Sequence, residues 1–337
     1  MTRILLAGDH FVLNEHLKEA ILGRIGDAPV SFSELTLPWP VVPFGPVAEV
    51  EEASDVEEEI LDLIGGAEIC VTQMAPITRR VLEKGTGLRL VCVTRGGPVN
   101  VNLEAAEARG VSVMSAPGRN AIATAEHTVA LALSALRRIP ETHNSVVAGQ
   151  WRSDLYSYSK VAFELHGATV GIVGYGAVGR HVARIFYGFG ARVKVFDPFA
   201  SSMDSFAERV ETLEALLNAS RIVSLHARLT PETRNMIGAA QLATLPDGSI
   251  LVNAARGGLV DMNAVADALE TGKLMGAAFD VFDVEPLPPE AKIRQTQNVT
   301  LSPHLAGATQ ETARRAAGIA ADQVSAYLRT KITAPAL

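Results

Sequence analysis

The chain has 337 residues, enough for about two domains of ordinary size. Hydrophobic residues make up 48% of it and charged residues 20%, which excludes an intrinsically disordered chain. The formal net charge of -7 excludes a globally basic surface for nucleic acid, and two cysteines, Cys70 and Cys92, cannot form a disulfide framework or a four-ligand zinc site.

The apolar runs of the sequence predict a cytoplasmic protein without a membrane span. Asp9 and His10 interrupt the first apolar run, so it is too short for a signal peptide. The longest apolar helix candidate, residues 120–136, contains Glu126 and His127, which we interpret as packing or subunit-contact residues. The other histidines outside strand ends have no carboxylate at ligand spacing, so we predict no metal site.

The first third of the chain alternates between short strands and helices. Residues 4–7, 69–71 and 90–93 are apolar runs bounded by turn residues, which is typical of buried parallel strands. A helix is predicted over residues 56–64. The proline-dense segment 37–46 excludes a helix or a central strand, and we interpret it as an extended surface loop or a pocket rim.

A long helix is predicted at about residues 120–138, followed by an irregular polar segment at 149–152. Strands and helices then alternate to about residue 302, and an alanine-rich helix spans about 310–329. This order predicts an α/β protein of two Rossmann-like lobes with doubly wound parallel sheets. The chain crosses between the lobes near 100–110 and 303–310, and a substrate is expected in the cleft.

The strongest local motif is the glycine-rich segment Gly174-Tyr175-Gly176-Ala177-Val178-Gly179. A hydrophobic strand precedes it and a helix with apolar residues at helical spacing follows it. A second strand ends in Asp197, which follows the motif at close to the expected distance of about 20 residues.

This context favours a dinucleotide site over a glycine turn that serves packing alone. Gly174 permits a tight turn, Gly176 lets the backbone approach a pyrophosphate, and Gly179 lets the helix and strand pack closely. Free N–H groups at the helix start attract phosphate. Asp197 accepts hydrogen bonds from ribose hydroxyls and repels a 2′-phosphate, and no Lys or Arg follows it before Arg209, so NAD is favoured over NADP.

Three polar residues follow apolar strands later in the chain: Arg256, Glu285 and His304. In open α/β sheets, ligands bind at the carboxyl ends of the strands. A histidine moves a proton near neutral pH, a carboxylate orients it and raises its pKa, and a guanidinium binds a carboxylate with two hydrogen bonds. As a set, these groups suit hydride transfer at a hydroxyl-bearing carbon, although each alone is more typical of a surface charge.

These motifs resemble the D-isomer-specific 2-hydroxyacid dehydrogenase family, which includes glycerate, D-lactate, phosphoglycerate and formate dehydrogenases. The resemblance covers about residues 103–310 and includes Ala-Arg-Gly-Gly-Leu-Val-Asp, Phe-Asp-Val-Phe-Asp-Val-Glu-Pro and Ser-Pro-His-Leu-Ala-Gly. It implies that an NAD-binding Rossmann domain, residues 103–304, is inserted into a flavodoxin-like substrate domain formed by residues 1–102 and 305–337.

The resemblance also implies roles for individual residues. Arg256 binds the substrate, Glu285 orients His304, and His304 is the acid/base. The residues implied at the cofactor, besides the glycine-rich segment and Asp197, are His226, Ala254, Ala255, Arg256, Asp280 and His304, with Asp280 on the nicotinamide carboxamide. A homodimer through the cofactor domain is implied, with residues 120–152 as the arm.

One loop departs from the family pattern. Residues 94–102 form a loop that is about two residues shorter than usual and contains Pro98, which removes one backbone donor. Arg95, Gly96 and Gly97 are the candidate substrate-binding residues there. The departure concerns the identity of the substrate and leaves the reaction type unchanged.

The favoured function is an oxidoreductase that transfers a hydride between NAD(H) and a 2-hydroxy acid or 2-oxo acid. Two alternatives remain at this point. One is an NAD(H)-sensing binding protein of the corepressor kind that shares this fold, and the other is a dehydrogenase of the formate or phosphite type.

Overall fold

The computed structural model describes residues 1–333 and divides the chain into two compact units. The first unit contains Met1–Asn120 and the residues from Ala308 onward, and the second contains Ala121–Gly307. In chain order, the first segment forms β1 (Thr2–Gly8), α1 (Asn14–Ile25), β2 (Val30–Thr36), β3 (Gly45–Val47), β4 (Val50–Ala53), α2 (Glu57–Ile64), β5 (Ile69–Thr72), α3 (Arg79–Lys84), β6 (Leu90–Val93), α4 (Leu103–Ala108) and β7 (Ser112–Ser115).

The remaining helices and strands belong to the second unit, except for the last helix. The second unit forms α5 (Ala121–Leu136), α6 (Ile139–Val147), β8 (Thr169–Val173), α7 (Ala177–Gly188), β9 (Arg192–Phe196), β10 (Ala207–Arg209), α8 (Leu213–Ala219), β11 (Ile222–Leu225), α9 (Ala239–Thr244), β12 (Ser249–Asn253), α10 (Met262–Glu270), β13 (Leu274–Phe279) and β14 (Val299–Leu301). The chain returns to the first unit in α11 (Gln310–Thr333).

The first unit is built on a five-stranded parallel sheet of order β2-β1-β5-β6-β7. This is the flavodoxin-like order. One face packs against α1 and α11, where Ala316, Ala320 and Val324 recur at helical spacing beside Leu17 and Ile21. The other face is covered by the buried residues of α2, α3 and α4, so the central strands β5 and β6 are completely buried, as parallel strands should be.

The second unit contains a seven-stranded parallel sheet of order β10-β9-β8-β11-β12-β13-β14. The strand order reverses beside β8, as in dinucleotide-binding folds. Helices α5 and α7 contribute to the core on one face, and α8, α9 and α10 to the core on the other. The prediction of an α/β fold with doubly wound parallel sheets is therefore confirmed.

The first boundary between the units lies later than the sequence suggested. The predicted junction follows residue 102, but the first unit continues to Asn120. The reason is that β7 extends the first sheet by pairing with β6, and α4 buries Ala105 and Ala106 in the same core. The return crossing, between Gly307 and Ala308, lies three residues after the predicted one.

The structure adds detail to two predicted segments, the long helix and the proline-dense loop. The predicted helix over 120–138 is α5, and a second helix, α6, follows after Arg138, whose φ is 51°. The proline-dense segment is a loop, as predicted, and leads into the β3–β4 hairpin. In it, the half-exposed Trp39 packs edge-on against Phe44, with ring centroids 5.3 Å apart.

Candidate active site

The glycine-rich segment forms the turn between β8 and α7. Gly174 has a φ of 93°, which favours glycine, and a Cβ there would lie 2.7 Å from the His226 carbonyl oxygen. A Cβ on Gly179 would overlap the Gly174 carbonyl oxygen, so glycine is required for the helix to pack on the turn. At Gly176 a Cβ would meet no protein atom within 4 Å, which leaves this backbone open to a ligand.

These features fit the pyrophosphate of a dinucleotide. Helix α7 begins at Ala177, and no side chain caps its first turn, so its N–H groups are available to an anion. Gly176 and Ala177 are exposed and Val178 is partly exposed. The side chain of Tyr175 points elsewhere: it is buried and donates a hydrogen bond from its hydroxyl to Asp204 at 2.7 Å.

Asp197 lies directly after β9 and contacts this turn. Its Oδ2 accepts a hydrogen bond from the Tyr175 N–H at 2.6 Å, and its Oδ1 accepts one from the Phe199 N–H at 2.8 Å. The carboxylate therefore stands beside the glycine-rich turn and is partly exposed. That placement suits a partner for ribose hydroxyls.

His226, Ala254 and Ala255 follow β11 and β12 on the same edge of the sheet. The His226 N–H donates to the Val173 carbonyl at 2.7 Å, next to the glycine-rich turn. Burial lowers the pKa of His226 to about 3, so its imidazole is neutral at pH 7. Ala254 is buried and Ala255 is partly exposed, which places backbone rather than polar side chains along this wall.

Glu285 and His304 meet, although they come from different loops. His304 Nδ1 donates to Glu285 Oε2 at 2.8 Å, and half of the His304 side chain is exposed (52%) while Glu285 is mostly buried. This hydrogen bond outweighs partial burial and raises the pKa of His304. Burial alone would raise the pKa of Glu285, but hydrogen bonds from His304 and the Phe282 N–H lower it.

Arg256 lies just after β12 in the same unit, and its side chain is exposed. Its positive charge opposes the rise in the pKa of the His304 imidazole. Its own side-chain hydrogen bond goes to the neighbouring Ala255 carbonyl at 2.6 Å. The guanidinium is thus available to an anion on the same edge of the sheet as His304.

Asp280 connects the end of β13 to the loop that carries His304. Its side chain is fully buried, and its oxygens accept hydrogen bonds from Ser302 Oγ at 2.6 Å, the Leu305 N–H at 2.9 Å and the Ala306 N–H at 2.8 Å. The Asp280 carbonyl accepts from the His304 N–H at 2.8 Å. In the structure this residue therefore holds the loop of His304, whose φ of 56° is uncommon for a residue other than glycine.

His127 on α5 belongs to the same network, which sequence reasoning missed. The Ser302 hydroxyl donates to Asp280, so its oxygen can accept from His127 Nε2, which lies 3.0 Å away. His127 Nε2 is also 3.4 Å from Asp280 Oδ1. The sequence predicted only packing or a subunit contact for His127, because its partners lie more than 150 residues away along the chain.

The candidate substrate loop of the first unit follows β6. Arg95 is partly buried and pairs with Glu52 at 2.8 Å, while Gly96 is exposed and a Cβ on Gly96 or Gly97 would meet no atom within 4 Å. Within residues 1–333, neither glycine N–H donates a hydrogen bond to another protein group. These two donors are therefore free for a ligand.

Comparison with known proteins identifies the family. Residues 129–306 match the model of the D-isomer specific 2-hydroxyacid dehydrogenase family, NAD binding domain. A glyoxylate reductase of Korarchaeum cryptofilum is 36% identical over 285 residues, which cover 84% of this chain and 86% of that one. The chain belongs to the D-isomer specific 2-hydroxyacid dehydrogenase family. The second unit is its NAD-binding domain, and the expected cofactor, NAD, is confirmed.

Two further relatives show how much of this dehydrogenase family member is similar to other proteins. A D-3-phosphoglycerate dehydrogenase of Methanocaldococcus jannaschii is 35% identical over 293 residues, but these cover 85% of this chain and only 55% of that protein. The chain thus spans about half of that relative. The crystal structure of the TT0316 protein from Thermus thermophilus superposes with a TM-score of 0.78 at 30% identity, covering 98% of this chain and 97% of that one.

Two features are absent from the part of this family member that the structure describes. No helix there is long and apolar enough to cross a membrane. No group of three or more His, Cys, Asp or Glu side chains there is arranged to hold a metal ion.

Proposed function

We propose that this protein is an NAD-dependent oxidoreductase that transfers a hydride between NAD(H) and a 2-hydroxy acid or 2-oxo acid. The observation that carries the proposal is the 2.8 Å hydrogen bond between His304 Nδ1 and Glu285 Oε2, in the unit that contains the glycine-rich turn. When bound, NADH supplies the hydride. The protein itself must then bind the acid, move one proton and hold the proton donor in place.

His304 is the proposed acid/base. Because Nδ1 donates to Glu285, the other ring nitrogen, Nε2, is the one that exchanges a proton with the substrate oxygen. In the reductive direction, Nε2–H donates to the carbonyl oxygen, and in the oxidative direction, Nε2 accepts the hydroxyl proton. Glu285 stabilises the protonated ring, which favours its role as an acid at neutral pH.

Arg256 is proposed to bind the substrate carboxylate. Its exposed guanidinium can form two parallel hydrogen bonds to a carboxylate and polarise the neighbouring carbonyl. Gly96 and Gly97 are proposed as backbone donors to the substrate, with Arg95 beside them, which would make the first unit the substrate domain. Asp280 is proposed to position His304 through the hydrogen bonds of its loop.

The test is turnover with a panel of 2-oxo acids. The purified protein should oxidise NADH in the presence of at least one of glyoxylate, pyruvate, hydroxypyruvate or a larger sugar-derived 2-oxo acid. His304→Ala should lower kcat by about 100-fold or more and leave the Kd for NADH within about twofold. His166→Gln is the matched control, because His166 is exposed in the same unit just before the opposite end of β8.

The results of this assay test the role of His304 and distinguish the three candidate functions. Full activity of His304→Ala would remove His304 from its role. Tight NADH binding without turnover of any 2-oxo acid would favour an NAD(H)-sensing protein instead. Turnover of formate or phosphite alone would favour the third function considered above.

A homodimer through the cofactor domain is also proposed. Helix α6 buries none of its residues within the chain, and Val146 and Val147 on it are exposed, as are Trp151 and Tyr156 after it. Such a cluster of exposed apolar side chains is typical of a subunit contact. Light scattering should give twice the monomer mass, and Val147→Asp should shift it toward the monomer; a monomeric parent protein would contradict the proposal.

A further inference from the structure

The hydrogen bonds of Asp280 extend beyond the loop of His304 to a side chain on α5 that the proposed reaction does not use. The Ser302 hydroxyl donates to Asp280 Oδ1 at 2.6 Å, and His127 Nε2 lies 3.0 Å from the Ser302 oxygen and 3.4 Å from Asp280 Oδ1. We call these three side chains the Asp280 network. All of them, and His304, belong to the second unit.

The packing of α5 fixes the position of the His127 imidazole. Leu131, one turn further along the helix, is buried in the same core as Ala278 of β13 and Ala306 of the His304 loop. Thr124, one turn earlier, is also buried. His127 therefore lies at the border of the buried face, with 31% of its side chain exposed, and the core of the unit holds it beside the ends of β13 and β14.

The hydrogen bonds of the Asp280 network run in one direction. A carboxylate only accepts hydrogen bonds, so the Ser302 hydroxyl uses its one proton on Asp280. The hydroxyl oxygen is then an acceptor, and His127 Nε2 carries the proton that it donates to this oxygen. Each donor in such a chain polarises the next bond and strengthens it. His127 is therefore the first donor of a chain that ends on a buried carboxylate.

Asp280 needs these donors because its side chain is fully buried. Burial alone would raise the pKa of this carboxyl, but hydrogen bonds from His127, Ser302 and two N–H groups of the His304 loop lower it. The hydrogen bond to Glu285 is the main cause of the raised pKa of His304, and the negative charge of Asp280 raises it further. His127 and His304 are thus coupled through one buried negative charge.

We propose that His127 is a positioning residue for the proposed acid/base: it stabilises the buried Asp280 carboxylate and thereby holds the loop of His304. The loop needs this support, because the φ of 56° at His304 is uncommon for a residue other than glycine and persists only where surrounding contacts fix it. The inference rests on the proposed function and adds α5 to the elements that support the proton transfer. His127 acts only through Ser302 and Asp280.

The kinetic test compares a variant that removes the donor with one that keeps a donor. His127→Leu removes the imidazole, whereas His127→Gln places an amide N–H close to the position of Nε2. His127→Leu should lower kcat at pH 7 by about tenfold for the 2-oxo acid that the parent protein reduces fastest, because the lost hydrogen bond supports a charged group. The KM of that acid should stay within about twofold.

Two control variants accompany this comparison. His127→Gln should keep kcat within about threefold of that of the parent protein, because it restores a donor to the Ser302 oxygen. His181→Leu is the matched control, because His181 is a partly exposed histidine of α7 in the same unit and has no part in the Asp280 network. It should leave kcat and KM unchanged. Equal losses in His127→Leu and His127→Gln would overturn the inference.

The pH profile separates this role from a general loss of packing. Loss of the His127 hydrogen bond should raise the pKa of Asp280, so this carboxyl takes up a proton as the pH falls and releases the loop. Reduction by His127→Leu should therefore decline toward low pH, whereas reduction by the parent protein and by His127→Gln should not. The other charged groups that act on this site, Glu285 and Arg256, are present in all three proteins. A profile of His127→Leu parallel to that of the parent protein would overturn the inference.

Ser302→Ala tests the route through which His127 acts, and it changes the packing less than His127→Leu does. It removes a donor to Asp280 and the acceptor of His127, so it should lower kcat by about tenfold. Since both residues act on one carboxylate, the double variant should lose no more than about twentyfold, instead of the roughly hundredfold expected of independent sites. A hundredfold loss would overturn the proposed route.

Hydrogen exchange distinguishes failure of this inference from failure of the proposed function. The Leu305 and Ala306 N–H groups donate to Asp280 at 2.9 and 2.8 Å, so their exchange reports on the loop without turnover. It should be at least about fivefold faster in His127→Leu than in the parent protein or His127→Gln. Faster exchange in a protein that reduces no 2-oxo acid would support the coupling and remove the proposed function. Unchanged exchange in a protein that reduces one would overturn the coupling alone.

Discussion

The carboxyl edges of the two sheets are built from different kinds of group. In the second unit, the part of the edge around the glycine-rich segment is made of backbone: the turn at Gly174, the open backbone at Gly176 and the uncapped start of α7. In the first unit, the edge carries two long side chains: Arg95, which pairs with Glu52, and the partly buried Arg119, whose guanidinium donates to Gln73. Backbone donors in a fixed turn suit the pyrophosphate because the fold itself sets their positions, whereas the position of an arginine side chain depends on the groups it contacts.

The largest expected effect comes from substitutions in the glycine-rich segment of the second unit. Gly179→Ala should abolish detectable NAD binding and destabilise the fold by about 1–3 kcal/mol, because its Cβ would overlap the Gly174 carbonyl oxygen. Gly176→Ala should weaken NAD binding at least about tenfold with unchanged stability, because its Cβ would meet only the ligand. Calorimetric titration and thermal unfolding measure both. Normal NAD affinity in Gly176→Ala would show that the pyrophosphate does not approach this backbone.

An intermediate effect tests the histidine that stands on this edge. Glu285→Gln removes the charge that raises the pKa of His304, so the pKa of that imidazole should fall. Reduction needs the protonated ring and is lost as the pH rises through that pKa; the variant should therefore lose activity at lower pH than the parent, by about tenfold at pH 7.5. Oxidation needs the neutral ring. The rise of the oxidation rate with pH should therefore also occur at lower pH in the variant than in the parent protein.

The control for this pH profile is Asp283→Asn. Asp283 is a half-exposed carboxylate two residues before Glu285 that pairs with Arg234 instead of a histidine. Removal of the Asp283 charge should leave the pH profiles of reduction and of oxidation unchanged. Superimposable profiles of Glu285→Gln and the parent protein would show that Glu285 does not set the pKa of the proposed acid/base.

The comparison of the two edges also explains what the sequence could predict. The glycine-rich turn and Asp197 are readable because their spacing follows from one strand, one turn and one helix. The convergence of Glu285 and His304 was predicted from their positions after apolar strands, and resemblance to a family added their individual roles. Arg119 and His127 carry no local pattern, because their partners Gln73 and Ser302 come from strands that only the folded sheets bring near. The late boundary at Asn120 was missed for the same reason: the pairing of β7 with β6 is tertiary information.

The smallest expected effect tests the preference for NAD at Asp197. Asp197→Asn keeps an oxygen that can accept from the Tyr175 N–H but removes the charge that repels a 2′-phosphate. At the edge of a solvated site that repulsion is worth about 1 kcal/mol, so the ratio of kcat/KM for NADH to that for NADPH should fall by about fivefold. Glu208→Gln, which removes an exposed charge on the neighbouring β10, should leave the ratio unchanged. A ratio that falls equally in both variants would mean that the general negative field of this edge, and not Asp197 itself, discriminates between the two cofactors.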